Sequence, residues 1–228
     1  MVNNDRYIRQ KNGRILVPAS YYTPEQNISH TTTHAINPAA ATLFYSDDDG
    51  ASFQGVDWIH EFGRRGYDDH GLEEPGIIEL EDGSLFYWMR TNYGCQYESE
   101  SNGDIQSFTP PRPGHFSSER APMQVKAFDG VIYTVYNPIP NYNGRVVEKG
   151  TWGRTPFVLR KSTGKRVFGK DFGPLNIIED DPTRGYCYPA IFKTHDGHLL
   201  LAYCRGNAED GNTLCRLGIA KAEIESIE

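Results

Sequence analysis

Ser46-Asp47-Asp48-Asp49-Gly50-Ala51-Ser52-Phe53 follows directly on an apolar run, Ala41-Thr42-Leu43-Phe44-Tyr45. Small, β-branched and aromatic residues that end in an Asp/Gly cluster read as a strand entering a tight turn. Gly50 reaches a positive φ at little cost. Asp and Ser side chains can hold the amides of such a turn. The pattern S-x-D-x-G-x-S-F predicts a chain reversal that returns Phe53 to the core, with the paired strand running on through Val56-Asp57-Trp58-Ile59. By itself the stretch is equally an ordinary Asp-rich turn.

Outward from this point the same unit recurs. Each copy is an apolar strand, a turn bearing Gly, a second apolar strand, a polar loop and a third strand. The turn glycines are Gly13, Gly83, Gly130 and Gly197. Around them lie Arg6–Arg9 and Arg14–Pro18, then Glu74–Leu80 and Ser84–Arg90. Further on come Ala121–Lys126 and Val131–Tyr136, and finally Tyr188–Phe192 and His198–Tyr203. Gln96–Glu100, Phe157–Arg160 and Cys215–Ala220 complete the strands, and the chain past Ala220 reads as strand plus tail. Ser101–Phe108 aligns with the first box at its Ser, Ser and Phe positions without the central Asp and Gly, and Ser162–Phe168 is a shorter echo. The Pro-rich residues 109–114 read as a loop, as do 20–38, 62–73 and 137–153. No helical periodicity of any length is present. Four units at an irregular period of roughly 50 to 70 residues predict propeller blades with variable insertions.

Composition agrees. Fourteen Tyr, 11 Phe, 23 Gly and 14 Pro in 228 residues favour an all-β chain with many turns. A net charge of −7 without long like-charge runs argues against a nucleic-acid partner. No apolar run approaches 18 residues, so no membrane span is expected. The polar Met1–Arg6 lacks a signal-peptide core. Cys95, Cys187, Cys204 and Cys215 show no C-x-x-C spacing and read as buried reduced thiols of a cytoplasmic protein. His30 and His34 lack a helix and a third ligand, so they imply no metal, and Asn27 begins a glycosylation sequon that is expected to be idle.

The residues able to do chemistry sit where the first strand of a unit begins, near Arg6, Glu74, Ala121 and Tyr188. Arg90 ends a very apolar strand, and Arg154 precedes another. Each has a plain alternative. Glu74 can cap a loop, the arginines can pair with surface acids, and Tyr188 can be strand packing.

Taken together, these segments resemble the sialidases (neuraminidases) and their bacterial sialidase-like relatives. Ser46–Phe53 is similar to the Asp box that recurs in their blades. Glu74-Pro-Gly-Ile-Ile-Glu-Leu-x-Asp-Gly, with Leu-Phe-Tyr-Trp-Met-Arg90, is similar to the segment of the catalytic Glu and second arginine. Gly153-Arg154 before Phe157-Val-Leu-Arg resembles the third-arginine strand, and Tyr188-Pro-Ala-Ile the catalytic-tyrosine strand. The order Glu, Arg, Arg, Tyr is the family's, at spacings of 16, 64 and 34 residues. The resemblance covers nearly the whole chain from about residue 40. It implies a single domain, residues 1–228, with a β-propeller of the six-bladed type of which about four blades are present.

The resemblance also implies roles. Sialic acid carries a carboxylate beside its anomeric carbon, and arginine forks bind carboxylates bidentately. A carboxylate nucleophile would be repelled by it, whereas a neutral Tyr with a Glu to take its proton is not. Tyr188 is then the nucleophile and Glu74 its base. Arg90 and Arg154 are carboxylate ligands, and Arg6 is a further candidate for that role. Tyr93, Gln96 and Tyr97 are candidates to line the pocket.

The N-terminal Arg-Ile-Pro motif with the first arginine is absent, as is the general-acid Asp that follows it. Asp47–Asp49 belong to the box. The expectation is therefore a chain lacking the N-terminal blades, with open edges that favour self-association. The expected function is release of a terminal sialic acid or related 2-keto sugar acid, with a carbohydrate as partner and no cofactor. The alternatives are a non-catalytic propeller that binds glycans or proteins, and an inactive fragment of a hydrolase.

Overall fold

The computed structural model describes residues 1–22, 38–62, 70–139, 147–162 and 171–227. The histidines His30 and His34, the sequon at Asn27, the loop residues Arg64, Arg65, Asp68 and Asp69, and all but the first residue of the Ser162–Phe168 echo lie outside the described residues. Fifteen strands are described, with one short 3₁₀ turn at Ile224–Ser226 and no α-helix among the described residues. They form four antiparallel sheets in chain order. Two compact units result, Met1–Gly114 and His115–Glu228.

The first unit begins with β1 (Ile8–Arg9), β2 (Ile15–Tyr22), β3 (Ala39–Ser46) and β4 (Gln54–Gly55), hydrogen-bonded in that order. Its second sheet is β5 (Glu73–Glu79), β6 (Leu85–Arg90), β7 (Cys95–Ser101) and β8 (Arg112–Ser117), within which the boundary at Gly114 falls. Leu16, Ala41, Leu43, Leu72, Ile77, Leu85, Tyr87 and Met89 are buried together and form its core. Strand alternation explains the choice. Residues two apart share a face, so Leu16 and Pro18 point inward with Leu43, which is opposite Pro18, and with Ala41, which is opposite Ser20. Arg112–Gly114, expected in a loop, belong to the edge strand β8. Pro113 is tolerated there because an edge strand needs no donor on its open side.

The second unit contains β9 (Gln124–Phe128), β10 (Val131–Tyr136), β11 (Phe157–Ser162) and β12 (Asn176–Glu179) as one sheet. The other is three-stranded, β13 (Gly185–Lys193), β14 (His198–Gly206) and β15 (Arg216–Glu223). Tyr133, Val135, Phe157, Leu159, Tyr186, Ile191, Leu199, Leu201 and Tyr203 form its core. The opposite face of the β13–β15 sheet presents exposed Phe192, Leu217 and Ile219. β12 had no counterpart in the expected strands, because Asn176-Ile-Ile-Glu179 is too short to announce itself beside Pro174.

The box behaves as a turn clamp. Ser46 Oγ accepts the Gly50 amide at 2.9 Å and donates to Asp48 Oδ1 at 2.7 Å. Asp48 accepts the Ser52 amide at 2.8 Å and the Ser52 hydroxyl at 2.5 Å. Asp49 takes φ +60° and Gly50 φ +89°. Phe53, however, does not return to the core, being about half exposed. Phe53 lies just before β4, which is only two residues long, so no ladder pairing holds its side chain inward. Trp58 fills that place. Its Nε1 donates to the Ile105 carbonyl at 2.8 Å, and its ring packs against Tyr87 and Phe108. The second, degenerate box supplies Phe108 and keeps the same logic with its Asp moved by one. Ser101 Oγ accepts the Gly103 amide, and Asp104 accepts the Gln106 amide at 2.9 Å. The turn glycines Gly13 (φ +94°) and Gly197 (φ +82°), first and last of the repeat, take the left-handed conformation the hairpins require.

Candidate functional site

Glu74 and Tyr188 occupy matching positions in the two units. Each lies in the first strand of its sheet, at a bulge, with proline next. Register between β5 and β6 runs from Glu73↔Arg90 and resumes at Gly76↔Trp88, so Glu74-Pro75 are the irregular residues. Between β13 and β14 it runs through Cys187↔Cys204 and resumes at Ala190↔Ala202, which leaves Tyr188-Pro189 out of step. Proline cannot donate to the ladder, so a strand that contains one must bulge or lie at an edge. At these bulges Glu74 has φ +45° and Tyr188 φ +54°. The left-handed region is uncommon for residues other than glycine. Bulges of this kind re-aim a side chain. Tyr188 falls fourth in β13, not at the strand's first residue as expected.

In the first unit the structure brings together Arg6, Glu74 and Arg90, and adds Glu73 and Tyr22. Arg90 Nη1 donates to Glu74 Oε2 at 2.5 Å, and its Nε lies 3.4 Å from Glu73 Oε2. Tyr22 donates its hydroxyl to Glu73 Oε1 at 2.9 Å. Burial, and then the charge and hydrogen bond of Glu73, push the Tyr22 phenol far above its usual value. Arg6 Nη1 donates to the backbone carbonyl of Glu74 at 3.0 Å, and its guanidinium stands 5.6 Å from the centroid of the Trp88 ring. Arg6, Glu73, Glu74 and Arg90 are all buried. Two cations and two carboxylates therefore share a dry setting, where an unmatched charge is costly. Arg6 braces the bulge backbone, and Arg90 is held by a pair of acids. Gly76 completes the arrangement, because a Cβ there would sit 2.1 Å from the Trp88 ring.

In the second unit the structure brings together Arg154 and Tyr188. Arg154 is buried, stands 4.7 Å from the Trp152 ring centroid and 6.0 Å from that of Tyr188. Its Nη1 donates to Cys187 Sγ at 3.1 Å and its Nη2 to the Arg120 carbonyl at 3.2 Å. Arg154 makes no ion pair among the described residues, in contrast to Arg90. Trp152 is about half exposed and itself takes φ +53°.

Of the pocket-lining candidates, Tyr97 is part of the first unit's core and Tyr93 packs against it, while Gln96 is buried. Glu73, Tyr22 and Trp152 were not singled out from sequence, and Cys187 was read only as a buried thiol. The Glu73-Glu74 doublet facing an Arg at the end of the next strand was the available signal for the first. Among the described residues no group of three His, Cys, Asp or Glu is placed to hold a metal.

Comparison with known proteins places these observations. The fold is the β-propeller of the sialidases. The chain belongs to the BNR repeat-like domain family, whose family model matches residues 2–201. No curated protein matches it. Among solved structures, a Dyadobacter fermentans protein of unknown function is 17% identical, with TM-score 0.67 over 96% of this chain and 52% of its own. Trypanosoma rangeli sialidase in complex with sialic acid is 14% identical, with TM-score 0.63 over 96% of this chain and 30% of its own. Penicillium chrysogenum α-L-arabinanase with arabinobiose is 16% identical, with TM-score 0.59 over 95% of this chain and 60% of its own. The chain thus spans about half or less of the length of the first two and 60% of the third. At these identities the likeness is one of fold, within a set that includes glycoside hydrolases.

Proposed function

We propose that this chain is a sialidase-like glycoside hydrolase releasing a terminal sialic acid or related 2-keto sugar acid. Tyr188 acts as nucleophile and Glu74 as its base. Arg154 is the principal ligand of the sugar carboxylate, and Arg90 a second one once its hold on the acids is shared. The observation that carries the reading is the pair of matched bulges, which hold a Glu and a Tyr in left-handed backbone where glycine would be easier. Strain of this kind costs about 1–3 kcal/mol per residue and clusters at functional sites. The ion-pair-free Arg154 adds support, since a buried guanidinium is suited to a bidentate carboxylate.

The test is hydrolysis of a fluorogenic aryl sialoside, with Tyr188→Phe and Glu74→Gln as variants. An aryl leaving group departs without protonation, so the assay reads the nucleophile and base even without a general acid. Turnover that falls by about 10²-fold or more in both variants is expected. Turnover unchanged in Tyr188→Phe, or absent from a folded chain that carries every named residue, overturns the reading.

A second reading has its own observation. Arg90 is already neutralised by Glu73 and Glu74, which leaves the first unit poor in charge for an anionic sugar. A neutral glycan, of the kind the arabinanase neighbour binds as arabinobiose, or simple glycan binding without cleavage, fits that balance. Calorimetry with sialic acid and with arabinobiose separates these outcomes.

A further inference from the structure

Two of the four cysteines face each other beside Tyr188. Cys187 on β13 and Cys204 on β14 are directly opposed in antiparallel register, at the last pair before the bulge. Opposed residues point to the same side of a sheet with Cα atoms about 4.5–5.5 Å apart, inside the span that a disulfide bridges. Neither is in a disulfide. Arg154 touches this pair, donating to Cys187 Sγ at 3.1 Å. Burial pushes the Cys204 thiol up and the Arg154 charge pulls it partway back. Arg154 thus offsets part of the burial penalty on the thiolate, the reactive form, while the Cys204 thiol stays above its ordinary value.

Access differs between the two sulfurs. Cys187 is fully buried, whereas Cys204 is partly exposed. Cys204 lies opposite Leu217, which is 69% exposed, on the sheet face that also presents Phe192 and Ile219. An oxidant can therefore reach Cys204 and not Cys187, the arrangement of an attacked thiol with an adjacent resolving one.

We propose that Cys187 and Cys204 are a reversible dithiol–disulfide pair, oxidised by a peroxide. The Cys204 thiolate attacks one peroxide oxygen, the O–O bond breaks, and Cys204 becomes a sulfenic acid while hydroxide leaves and takes up a proton. Cys187 sulfur then attacks the Cys204 sulfur, the S–O bond breaks, and a second water departs with the Cys187 proton. Two thiols are oxidised, one peroxide is reduced, and two waters form. Closing the bridge draws the Cys187 sulfur toward Cys204 and away from Arg154, and it fixes the strand immediately before Tyr188. The pairing does not rest on the hydrolase reading.

The test is intact mass and peptide mapping of the full chain after hydrogen peroxide and alkylation of the remaining thiols. The expected result is loss of two hydrogens, a single peptide pair linked through Cys187 and Cys204, and reversal by dithiothreitol. The loss persists in a Cys95→Ser/Cys215→Ser variant and disappears in Cys204→Ser. Alkylation of both Cys187 and Cys204 after oxidation, over-oxidation of Cys204 with Cys187 untouched, or a link from Cys204 to Cys215 overturns the proposal. Mapping of the unmutated chain decides alone if a variant fails to fold. Because the readout is covalent, it stands whether or not the aryl sialoside is cleaved.

Discussion

Replacing Gly76 by Ala tests the packing that supports the Glu74 bulge. Gly76 has an ordinary backbone conformation, so the substitution strains no dihedral angle. The cost is steric alone. The added Cβ would lie 2.1, 2.4 and 2.7 Å from Cζ2, Cε2 and Cη2 of Trp88. The ring would have to move by more than an ångström to restore an ordinary contact near 3.5–4 Å. It has nowhere to go, since Trp88 is 1% exposed, stacks on Phe86 at 6.0 Å and has Arg6 over its face. Overpacking of this severity costs about 3 kcal/mol. Urea unfolding followed by tryptophan fluorescence measures it. In a Trp88→Leu background the same substitution should cost less than about 0.5 kcal/mol, a coupling of about 2–3 kcal/mol between neighbours in contact. A loss below about 0.5 kcal/mol in the parent chain, or additive effects in the double variant, would falsify the packing account.

Four further outcomes are expected. Arg90→Met leaves Glu73 and Glu74 buried without their cation and should cost about 3–5 kcal/mol in urea unfolding; adding Glu73→Gln and Glu74→Gln should recover most of it, and no recovery refutes the pairing. Asp48 is held near pKa about 2, below its usual 3.8, by the Ser52 hydroxyl and amide and by Ser46; its folded pKa is depressed, so its contribution is complete above 3.8 and is lost as pH falls toward 2, and Asp48→Asn should flatten the melting-temperature profile across that window. Burial lowers His60 from 6.5 to about 4, and its ring packs 4.4 Å from Trp58; the stability gained by keeping it neutral is present above pH 6.5 and lost as pH falls to 4, a slope that His60→Asn should lack. Tyr188→Asn places a residue that tolerates φ +54° at the second bulge, so turnover should vanish while the unfolding midpoint stays level or rises, and a clear drop in midpoint would show that Tyr188 serves packing.

The fold was legible because its signals are local and repeated. Asn12-Gly13, Asp82-Gly83, Asp129-Gly130 and Asp196-Gly197 each sit between apolar runs, and one turn chemistry at four places gives four hairpins without knowledge of tertiary contacts. What failed depended on distance along the chain. Phe53 was expected inside because its box ends like a strand start, yet Trp58, five residues on, wins the space by bonding to Ile105 in the turn after β7. The edge strand β8 was hidden by Pro110, Pro111, Pro113 and Gly114, which suit an edge as well as a loop. The exposed Cys215 was read as a buried thiol because spacing carries no information about which side of a sheet a residue faces.

The candidate residues were legible as types in order, and the geometry around them was not. Sequence cannot say whether Arg90 meets one acid or two, since Glu73 and Glu74, which a regular strand would send to opposite faces, both reach Arg90 only because a bulge intervenes. It likewise cannot distinguish Arg154, which meets a thiol and a carbonyl, from Arg90. Yet the bulges themselves were written in the chain. Glu74-Pro75 and Tyr188-Pro189 put proline inside apolar strands, where its missing N–H calls for an edge position or a bulge, and here both coincide. A bulge that merely bends a sheet is cheapest with glycine at the left-handed position. Glu74 and Tyr188 take that position instead, at φ +45° and +54°, and the surrounding structure holds at least the first of them there through Arg6 and Arg90. A large side chain kept where the backbone resists it is an arrangement that folding alone does not require, and it is the physical reason for looking to these two residues for chemistry.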